Sequence, residues 1–447
     1  MATFAFVTVG VAAHVNQCAA LAERLRSRGH RAVFLSHDSR IGAGLGERGF
    51  DFILLETPRQ SVRRPPSPGR LLRARAEVRQ ASAAVTGSRE IVARLDALRP
   101  DLVLVDYELA DHVSRIAPTD HRLLLLEYHC SPRRVPGVPI LSSSFVPAGA
   151  PLDDLRIAAT WAWTGFVRRC GFALARAAYG RYEFLATLRR LARQHDFDFR
   201  RGTTLGQWHY VGFPGLPTLY LAVPEFDVPH ATPNRDWYVG PQIEAARPKG
   251  ADDEDGRRVA EWLALADERP LVYCAIGSIL SRPAFCRAVL GMAARRPDWR
   301  VLLSAGRQAI SQDLGRVPEN ALAVGRAPQL DVLPHATVMM HHGGAATTNE
   351  CIHHGVRMVA YRTGIMDSNG NAARIGFHRL GRAVDFDRAT PDSMVRDVAA
   401  VLGDPTIGEG IASMRSVFRR YQEEDRALRL LEAAAGAGGE LPPWRVG

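Results

Sequence analysis

Cysteine and lysine are the residues that this sequence has least of. The 447-residue chain holds six cysteines, and no two of them are spaced as C-x-x-C. Scattered cysteines exclude a zinc ribbon, a redox-active dithiol and the disulfide framework of a small secreted domain. We therefore expect a cytoplasmic protein.

Long hydrophobic runs are also missing. No stretch reaches the roughly 18 uninterrupted apolar residues of a membrane-spanning helix, so none is predicted. The apolar start of the chain, Ala2 to Ala13, has no basic segment before it and no small-residue cleavage site after it. We interpret it as a buried first strand rather than a signal peptide.

Positive charge comes almost entirely from arginine. The formal net charge is +10, and Lys249 is the only lysine. The arginines are not gathered into one tail, and no zinc-finger, RRM or KH signature accompanies them, so no nucleic-acid partner is expected. Arginine does suit the binding of a single phosphate group.

Short apolar runs alternate with helical patterns in both halves of the chain. Phe4 to Val9, a helical stretch from Asn16 to Arg28 and the run Arg31 to Ser36 read as strand, helix and strand, the pattern of a βαβ unit in a parallel sheet. The second half repeats this rhythm from Leu271 to Tyr361. The sequence therefore predicts an α/β protein with two Rossmann-like, doubly wound parallel-sheet domains.

A change of composition marks the boundary between the two domains. Glu225 to Lys249 is rich in proline, and Asp252 to Asp255 is an acidic run. We predict an N-terminal domain at 1–240, a C-terminal domain at 241–415, a helix at 416–435 that crosses back to the first domain, and a flexible tail at 436–447. The hinge between the domains is expected near residues 240–255.

The turn after the first strand offers one candidate catalytic residue. Gly10 to His14 lacks the second glycine of the G-x-G-x-x-G fingerprint, so no NAD site is predicted. His14 lies where the carboxyl ends of parallel strands place ligands, and its imidazole could act as a general base. The alternative is a helix cap or a packed polar residue.

The second domain carries a more informative turn. A strand that ends at His342 is followed at once by Gly343, Gly344 and a helix with Thr347 and Glu350. Small residues there let backbone N–H groups and a helix N-terminus bind a phosphate. Glu350 could accept hydrogen bonds from a ribose diol. The alternative is a glycine-rich turn that is capped by threonine and binds nothing.

The run from His341 to Glu350, continued by Gly355-Val356, resembles the donor signature of GT-B glycosyltransferases of family one, which include plant secondary-product and actinobacterial antibiotic enzymes. Other segments extend the resemblance over most of the chain: the first βαβ unit with His14 and Arg28-Gly29-His30, the strand before Asp106, Gly277-Ser278, Ala327-Pro328-Gln329, and Asp367 to Asn371. The GT-B fold places two such domains on either side of a cleft.

The resemblance implies an inverting glycosyltransferase that moves a sugar from a UDP- or dTDP-linked donor to a hydroxyl of a small acceptor, a bacterial natural product. His14 matches the base, and Asp106 matches the carboxylate that orients it. The implied donor-binding residues are Ser278, Arg326, Gln329, His342, Gly343, Gly344, Thr347, Glu350, Asp367 and Ser368. Glu350 matches the ribose ligand and Asp367 the ligand of the sugar hydroxyls. The resemblance implies no metal and no cofactor beyond the co-substrate.

The sequence departs from the family at three positions. Arg326 stands where many relatives have a tryptophan that stacks on the nucleobase, so the sequence does not predict which nucleobase the donor carries. Ser368 replaces the usual glutamine, so the identity of the sugar is not predicted either. Arg357 replaces the proline of a Gly-Val-Pro run, which we interpret as a tolerated loop change.

Residues 155–193 combine aromatic residues with arginines, including Trp161, Trp163 and Phe166. We interpret the segment as amphipathic helices that pack on the first domain and help to form the acceptor site, with contact to a lipid surface as the alternative. A homodimer and peripheral membrane contact both stay open.

Three rival functions share parts of this pattern. A sugar-nucleotide epimerase or hydrolase could use the same two-domain fold, because fold alone does not fix chemistry. A non-catalytic sugar-nucleotide-binding partner could keep the donor motif but has no use for His14 with Asp106. A metal centre is disfavoured, because His341-His342 on a strand and the adjacent His353-His354 offer one ligand per side rather than a chelate.

Overall fold

The computed structural model describes residues 1–59, 61–62, 67–130, 132–205, 208–230, 236–245, 247, 254–277, 282–312, 314–365 and 367–436. Two parallel sheets with helices on both faces organise these residues, so the predicted α/β fold with two doubly wound domains is confirmed. Within the described part of the chain, no helix is both long and apolar enough to cross a bilayer.

The first sheet has seven strands in the order β3-β2-β1-β4-β5-β6-β7. They are β1 Thr3–Thr8, β2 Arg31–Ser36, β3 Asp51–Leu54, β4 Leu102–Asp106, β5 Leu123–Glu127, β6 Thr218–Tyr220 and β7 Asp236–Tyr238. Phe4 to Val7 are fully buried, as expected of a parallel strand covered on both faces. Strand order reverses between β1 and β4, and such a switch point opens a crevice at the carboxyl ends of the strands.

The second sheet has six strands in the order β10-β9-β8-β11-β12-β13. They are β8 Leu271–Ala275, β9 Arg300–Ser304, β10 Ala321–Val324, β11 Val338–His341, β12 Arg357–Arg362 and β13 Gly381–Asp385. Its order reverses between β8 and β11, so the turn after β11 lies at the second switch point. Each domain therefore has a switch point at the carboxyl ends of its strands, where a ligand can bind.

Helices cover both faces of the two sheets. The first domain has α1 Ala12–Ser27, α2 Arg40–Glu47, α3 Leu71–Gly87, α4 Glu90–Leu98, α5 Ala110–Ile116, α6 Asp153–Tyr179, α7 Phe184–Gln194 and α8 Phe199–Gly202. The remaining helices are α9 Glu254–Leu263, α10 Pro283–Arg295, α11 Arg307–Ile310, α12 Gln329–Val332, α13 Ala345–His354, α14 Ser368–Phe377, α15 Pro391–Gly403, α16 Pro405–Glu423 and α17 Arg426–Ala435. Each sheet is buried between such layers.

The chain returns to the first domain through two helices. α16 and α17 divide the segment that was predicted as one helix at 416–435, and Asp425 between them has a left-handed backbone with φ 51°. Leu428 and Leu431 of α17 lie in the same apolar cluster as Phe4 and Phe34. Arg24 and Arg28 of α1 both pair with the Asp425 carboxylate, so the break between the helices is held by the first domain.

Direct contacts join the two domains near the cleft. The N–H of Gly370 donates to the carbonyl of Leu141 at 2.8 Å. A Cβ at Gly370 would come within 2.3 Å of that carbonyl oxygen, so only glycine allows this approach. The predicted hinge at 240–255 falls partly outside the described residues.

Candidate active site

Two strand ends bring His14 and Asp106 together. Asp106 is the last residue of β4, and His14 lies in the first turn of α1, which follows the neighbouring strand β1. His14 Nδ1 lies 2.7 Å from Asp106 Oδ2. The other carboxylate oxygen of Asp106 accepts the N–H of Glu108 at 3.1 Å. The carboxylate thus engages Nδ1, which leaves Nε2 as the nitrogen able to take a proton.

Packing fixes the plane of the His14 ring. The Tyr128 ring stacks on it with centroids 3.8 Å apart and 23° between the planes, and the Tyr128 hydroxyl lies 3.3 Å from Cys18 Sγ. The His14 side chain is 12% exposed and that of Asp106 is 1% exposed. A ring that is oriented by both a carboxylate and a stacking partner is preorganised for proton transfer.

The electrostatics of this pair favour a protonated ring. Burial lowers the pKa of His14, and the charge of His129 lowers it further. The charge of Asp106, its hydrogen bond and the charge of Glu108 raise the pKa more, so it lies above its ordinary value of 6.5. Asp106 therefore stabilises the imidazolium that would form when His14 accepts a proton.

The turn after β11 builds a tight pocket around His342. Gly343 has φ +76°, and a Cβ there would lie 2.7 Å from the carbonyl oxygen of Ser368. A Cβ on Gly344 would lie 2.7 Å from His342 Nε2. His342 Nδ1 is buried and has no hydrogen-bond partner among the described residues. The two glycines thus let the backbone and an imidazole crowd the N-terminus of α13, where an anion is favoured.

The predicted ligand of the sugar hydroxyls, Asp367, occupies that N-terminus. Its Oδ2 accepts the N–H of Ala345 at 3.2 Å and an N–H of Asn371 Nδ2 at 2.5 Å. A carboxylate oxygen at the first residue of α13 shows that this end of the helix accommodates negative charge. Ser368 donates or accepts a bond with Thr363 Oγ1 at 2.8 Å.

Glu350 gathers several of the remaining predicted residues. Its side chain is buried and is hydrogen-bonded both to Gln329 Nε2 and to Arg247. Gln329 Nε2 also lies 3.4 Å from Thr347 Oγ1. One polar group therefore contains Gln329, Thr347 and Glu350. Arg247 also belongs to this group but was not among the predicted donor-binding residues.

Two predicted donor residues contribute less to this geometry. Arg326 has an exposed side chain, and its backbone N–H donates to Asp255 at 2.8 Å. Ser278 lies outside the described residues. Their predicted roles stay predictions.

The predicted acceptor residues divide between two faces of α6. Trp161 is 3% exposed, and its Nε1 donates to the carbonyl of Val138 at 2.9 Å. It packs with Ile140, Ile157 and, at the edge, Trp208. Trp163 and Phe166 are 67% and 51% exposed, with ring centroids 5.9 Å apart. The structure therefore does not bring these three aromatic residues to one site.

The carboxyl end of β5, next to β4, holds a cluster that was not predicted from the sequence. Glu127 is the last residue of β5, and its Oε1 accepts from His129 Nδ1 at 2.7 Å and its Oε2 from His209 Nε2 at 2.6 Å. All three side chains are at most 9% exposed. The available signal was a carboxylate at the end of a buried strand with a histidine two residues later, as Asp106 ends β4.

This cluster pairs internally and does not present an open chelate. Its ligand atoms lie within 4.8 Å of one another, but the separations to Glu127 are hydrogen-bond distances. The group in the described residues is therefore a hydrogen-bonded relay of one carboxylate and two imidazoles.

The part of the site on the first domain, around His14, faces the part on the second domain, around the turn after β11. A cavity is lined by Ala13, Asn16 and Gln17 of α1 and, from α13, by Ala346, Asn349 and Glu350. The N-terminal ends of α1 and α13 therefore meet at the cleft. His14 stands on one side of it and the turn after β11 on the other.

Comparison with known proteins agrees with this architecture. The model of the erythromycin biosynthesis protein CIII-like C-terminal domain matches residues 289–418. A demethyllactenocin mycarosyltransferase of Streptomyces fradiae is 35% identical over 160 residues, which cover 36% of this chain and 34% of that relative. The chain thus aligns with about a third of the length of that curated relative.

Solved structures match over nearly the whole chain. The glycotransferase of kitacinnamycin has a TM-score of 0.66 at 21% identity and covers 96% of this chain and 98% of its own. The glycosyltransferase VinC in complex with dTDP has a TM-score of 0.63 at 17% identity, with the same coverage. The chain therefore has the GT-B fold. Residues 289–418 are similar to the erythromycin CIII-like C-terminal domain, and the resemblance to glycosyltransferases that the motifs indicated is confirmed.

Proposed function

We propose that the protein is an inverting glycosyltransferase that moves a sugar from a UDP- or dTDP-linked donor to a hydroxyl of a small natural product. The observation that carries this proposal is the His14–Asp106 pair at 2.7 Å across the cleft from the turn that begins α13. The mycarosyltransferase that resembles part of the chain and the dTDP complex of a fold relative support the same conclusion.

The proposed reaction is one displacement at the anomeric carbon. His14 Nε2 removes the proton of the acceptor hydroxyl, and the hydroxyl oxygen forms a bond to the anomeric carbon. The bond from that carbon to the donor phosphate breaks, and its electron pair leaves with the nucleoside diphosphate. Attack from the face opposite the leaving group inverts the configuration, and Asp106 stabilises the charged His14.

The leaving diphosphate would lie at the N-terminus of α13. The N–H of Ala345, the glycine turn and His342 offer donors there, and the helix dipole adds to them. Asp367 would leave this position and turn its carboxylate to the sugar hydroxyls. Glu350 would exchange Arg247 for the ribose diol. The chain's own donors thus supply the stabilisation of the developing charge, and the proposal assigns no role to a metal.

The reaction is tested with UDP- and dTDP-sugars. Thermal unfolding identifies the donor, because a bound ligand raises apparent stability. The identified donor is then incubated with a panel of hydroxylated acceptors, and mass spectrometry and NMR report the product and its anomeric configuration. Donor consumption without any acceptor favours the epimerase or hydrolase alternative, and binding without turnover favours a non-catalytic partner.

We also propose the cytoplasm as the place of this reaction. No disulfide joins any of the six cysteines, and Cys170 is exposed on α6. Cysteine thiols persist in a reducing compartment. Formation of an intermolecular disulfide by the purified protein under cell-like glutathione ratios would contradict this assignment.

A further proposal concerns two regions that we together call the α6–α7 surface. One is a face of α6 with the exposed apolar side chains Trp163, Phe166 and Leu174; the other, on a different side of α6, is a groove lined by Arg176, Arg181, Arg189, Arg190 and Arg193. The groove measures about 600 Å³. Residues 155–193 hold eight arginines and one carboxylate, Glu183. That carboxylate is engaged by the N–H groups of Leu185 and Ala186.

This combination fits a membrane surface that bears anionic lipids. Aromatic and aliphatic side chains insert at the headgroup level, while arginines attract negative lipids. Co-sedimentation with phosphatidylglycerol vesicles, and weaker co-sedimentation with phosphatidylcholine vesicles, is the expected result. Replacing Arg189 and Arg193 by glutamine should reduce it. A homodimer by sedimentation velocity without vesicle binding would instead assign the surface to a second copy.

A further inference from the structure

The Glu127–His129–His209 cluster lies at the cleft, where His129 and Asn349 line one small cavity, and the proposed mechanism assigns it no role. Glu127 is a fully occupied carboxylate: Oε1 accepts the N–H groups of Tyr128 and His129 at 2.9 and 3.0 Å in addition to His129 Nδ1, and Oε2 binds His209. Burial raises the pKa of Glu127, but both imidazoles lower it more, so it lies well below its usual range. Glu127 is therefore an anion that holds a proton on His129 Nδ1.

The opposite nitrogen of His129 points across the domain boundary. His129 Nε2 lies 3.6 Å from Asp367 Oδ2, the oxygen that also accepts the N–H of Ala345 at the start of α13. His129 thus approaches the anion position at this helix end from the first domain. Burial lowers the pKa of His129, but Glu127 and Asp367 raise it to about 9.

A small cavity joins the same groups. It measures about 10 Å³ and is lined by His129, Ala345, Asn349 and Asn371, among others. A cavity of this size holds about one water molecule. A phosphate can enter only when Asp367 leaves Ala345 or when the domains separate.

We infer that His129 is a donor-binding residue, and that it contributes a cationic N–H from the first domain to the diphosphate of the nucleotide sugar. In the structure the Asp367 carboxylate stands where a phosphate oxygen would bind, between the N–H of Ala345 and Nε2 of His129. The bound phosphate takes over both contacts. This inference rests on the proposed function, because it names a further ligand of the same donor site.

The two imidazoles of the first domain, those of His14 and His129, have different proposed roles. His14 must be neutral to accept a proton, whereas His129 must be charged to bind a phosphate. Each is paired with the carboxylate that ends its own or a neighbouring strand, Asp106 on β4 and Glu127 on β5. Glu127 differs from Asp106 because its carboxylate also binds a second imidazole, that of His209. Two partners therefore share the negative charge of Glu127.

Calorimetry with UDP, dTDP, uridine and thymidine tests the inference. Whichever diphosphate the wild type binds, His129→Gln should weaken its binding by about ten- to a hundredfold, the range of a lost charge-assisted hydrogen bond. Affinity for the matching nucleoside should stay unchanged. His121→Gln is the control, because His121 lies just before the start of β5, at the opposite end of that strand from Glu127, where it contacts Asp96.

A second measurement does not depend on how the variant folds. In wild-type protein the affinity for the diphosphate should fall as the pH rises through about 9, because the His129 imidazolium then loses its proton. Nucleoside affinity should not follow this change. Histidine NMR should show the pKa of His129 rising when the diphosphate is added.

The outcomes separate the inference from the proposed function. Equal diphosphate affinity in wild type and His129→Gln, or diphosphate binding that ignores pH in this range, overturns the role of His129. If the wild type transfers sugar in either case, the glycosyltransferase function stands. If the wild type binds neither diphosphate, the donor site and this inference fail together.

Discussion

Arg374 on α14 of the second domain donates to the carboxylate of Asp227 in the first, with Nε 2.7 Å and a terminal nitrogen 2.6 Å from Oδ1. The two side chains are 3% and 0% exposed. Arg374 also donates to the carbonyl of Gly370 at 3.1 Å. This ion pair therefore holds the domains together inside the protein, close to the Gly370–Leu141 contact.

Loss of the arginine should destabilise the protein strongly. Arg374→Met leaves the Asp227 carboxylate buried and unpaired, and breaking such a pair typically costs about 3–5 kcal/mol. Chemical denaturation should show this loss in the free energy of unfolding. Arg420→Met is the matched control, because Arg420 pairs with Glu225, two residues before Asp227, and is 52% exposed. An exposed pair contributes roughly 0–1 kcal/mol, so equal effects of the two substitutions would contradict the assignment.

Gly343 should not tolerate even a methyl group. Its φ of +76° is left-handed, and a Cβ would meet the Ser368 carbonyl oxygen at 2.7 Å. Gly343→Ala should therefore displace the start of α14 from the donor turn, weakening nucleoside diphosphate binding and lowering the melting temperature.

Gly376 of α14 provides the comparison for that substitution. A Cβ there meets nothing within 4 Å, and its backbone is not left-handed. Gly376→Ala should leave donor binding unchanged and raise helix stability by about 0.5–1 kcal/mol. A Gly343→Ala protein with wild-type calorimetric affinity would show that the turn does not bind the diphosphate.

The sequence predicts those elements and parts of the site whose residues lie close together in the chain. Apolar runs between helical patterns predict the strands, and β1, β4, β8 and β11 lie where the pattern predicts them. The order of the strands within each sheet was not predicted, because the pairing of a strand depends on contacts between distant segments. The turn from His342 to Thr347 is a contiguous segment, which is why its geometry could be anticipated.

Relations between distant segments could not be read in the same way. Glu127, His129 and His209 meet only after the chain has passed through α6, α7 and α8, and no spacing in the sequence indicates that approach. Trp161 and Trp163 are two residues apart but lie on different faces of α6, so a prediction based on aromatic content could not separate the buried ring from the exposed one.

The Glu127 cluster should make stability depend on pH in two directions. The folded pKa of Glu127 is depressed, so its contribution is present above its unfolded value and disappears as the pH falls. The folded pKa of His129 is raised from 6.5 to about 9, so its contribution is complete below 6.5 and disappears as the pH rises toward 9. Both contributions coexist between about pH 4.5 and 6.5.

Urea unfolding at several pH values checks this dependence. Between about pH 6.5 and 9 the wild type should lose more stability than Glu127→Gln, because the neutral amide cannot stabilise the His129 cation. His121→Gln should follow the wild type. Parallel curves for wild type and Glu127→Gln would mean that the cluster is not ionised as the geometry indicates.

The last prediction concerns the base itself. His14→Ala should lower kcat by about 10²- to 10⁴-fold, the usual contribution of a positioned base, while donor binding persists. His121→Ala should have no such effect.

The pH profile of kcat distinguishes the role of Asp106 from that of the ring. His14 must be neutral, and its pKa is raised above 6.5 chiefly by Asp106 against the lowering effect of burial, so the wild-type rate should fall as the pH drops through that raised value. Asp106→Asn removes the carboxylate charge that raises the pKa of His14, so the midpoint of the acid limb should move to lower pH. The maximal rate should also fall, because His14 becomes a weaker base and its imidazolium is no longer stabilised by a carboxylate. Tyr128 still stacks on the ring and holds its plane. The rate therefore falls through the lost charge and through the tautomer, because an amide NH2 that faces Nδ1 favours the proton on Nε2. An acid limb that stays in place in Asp106→Asn would assign proton removal to a group other than His14.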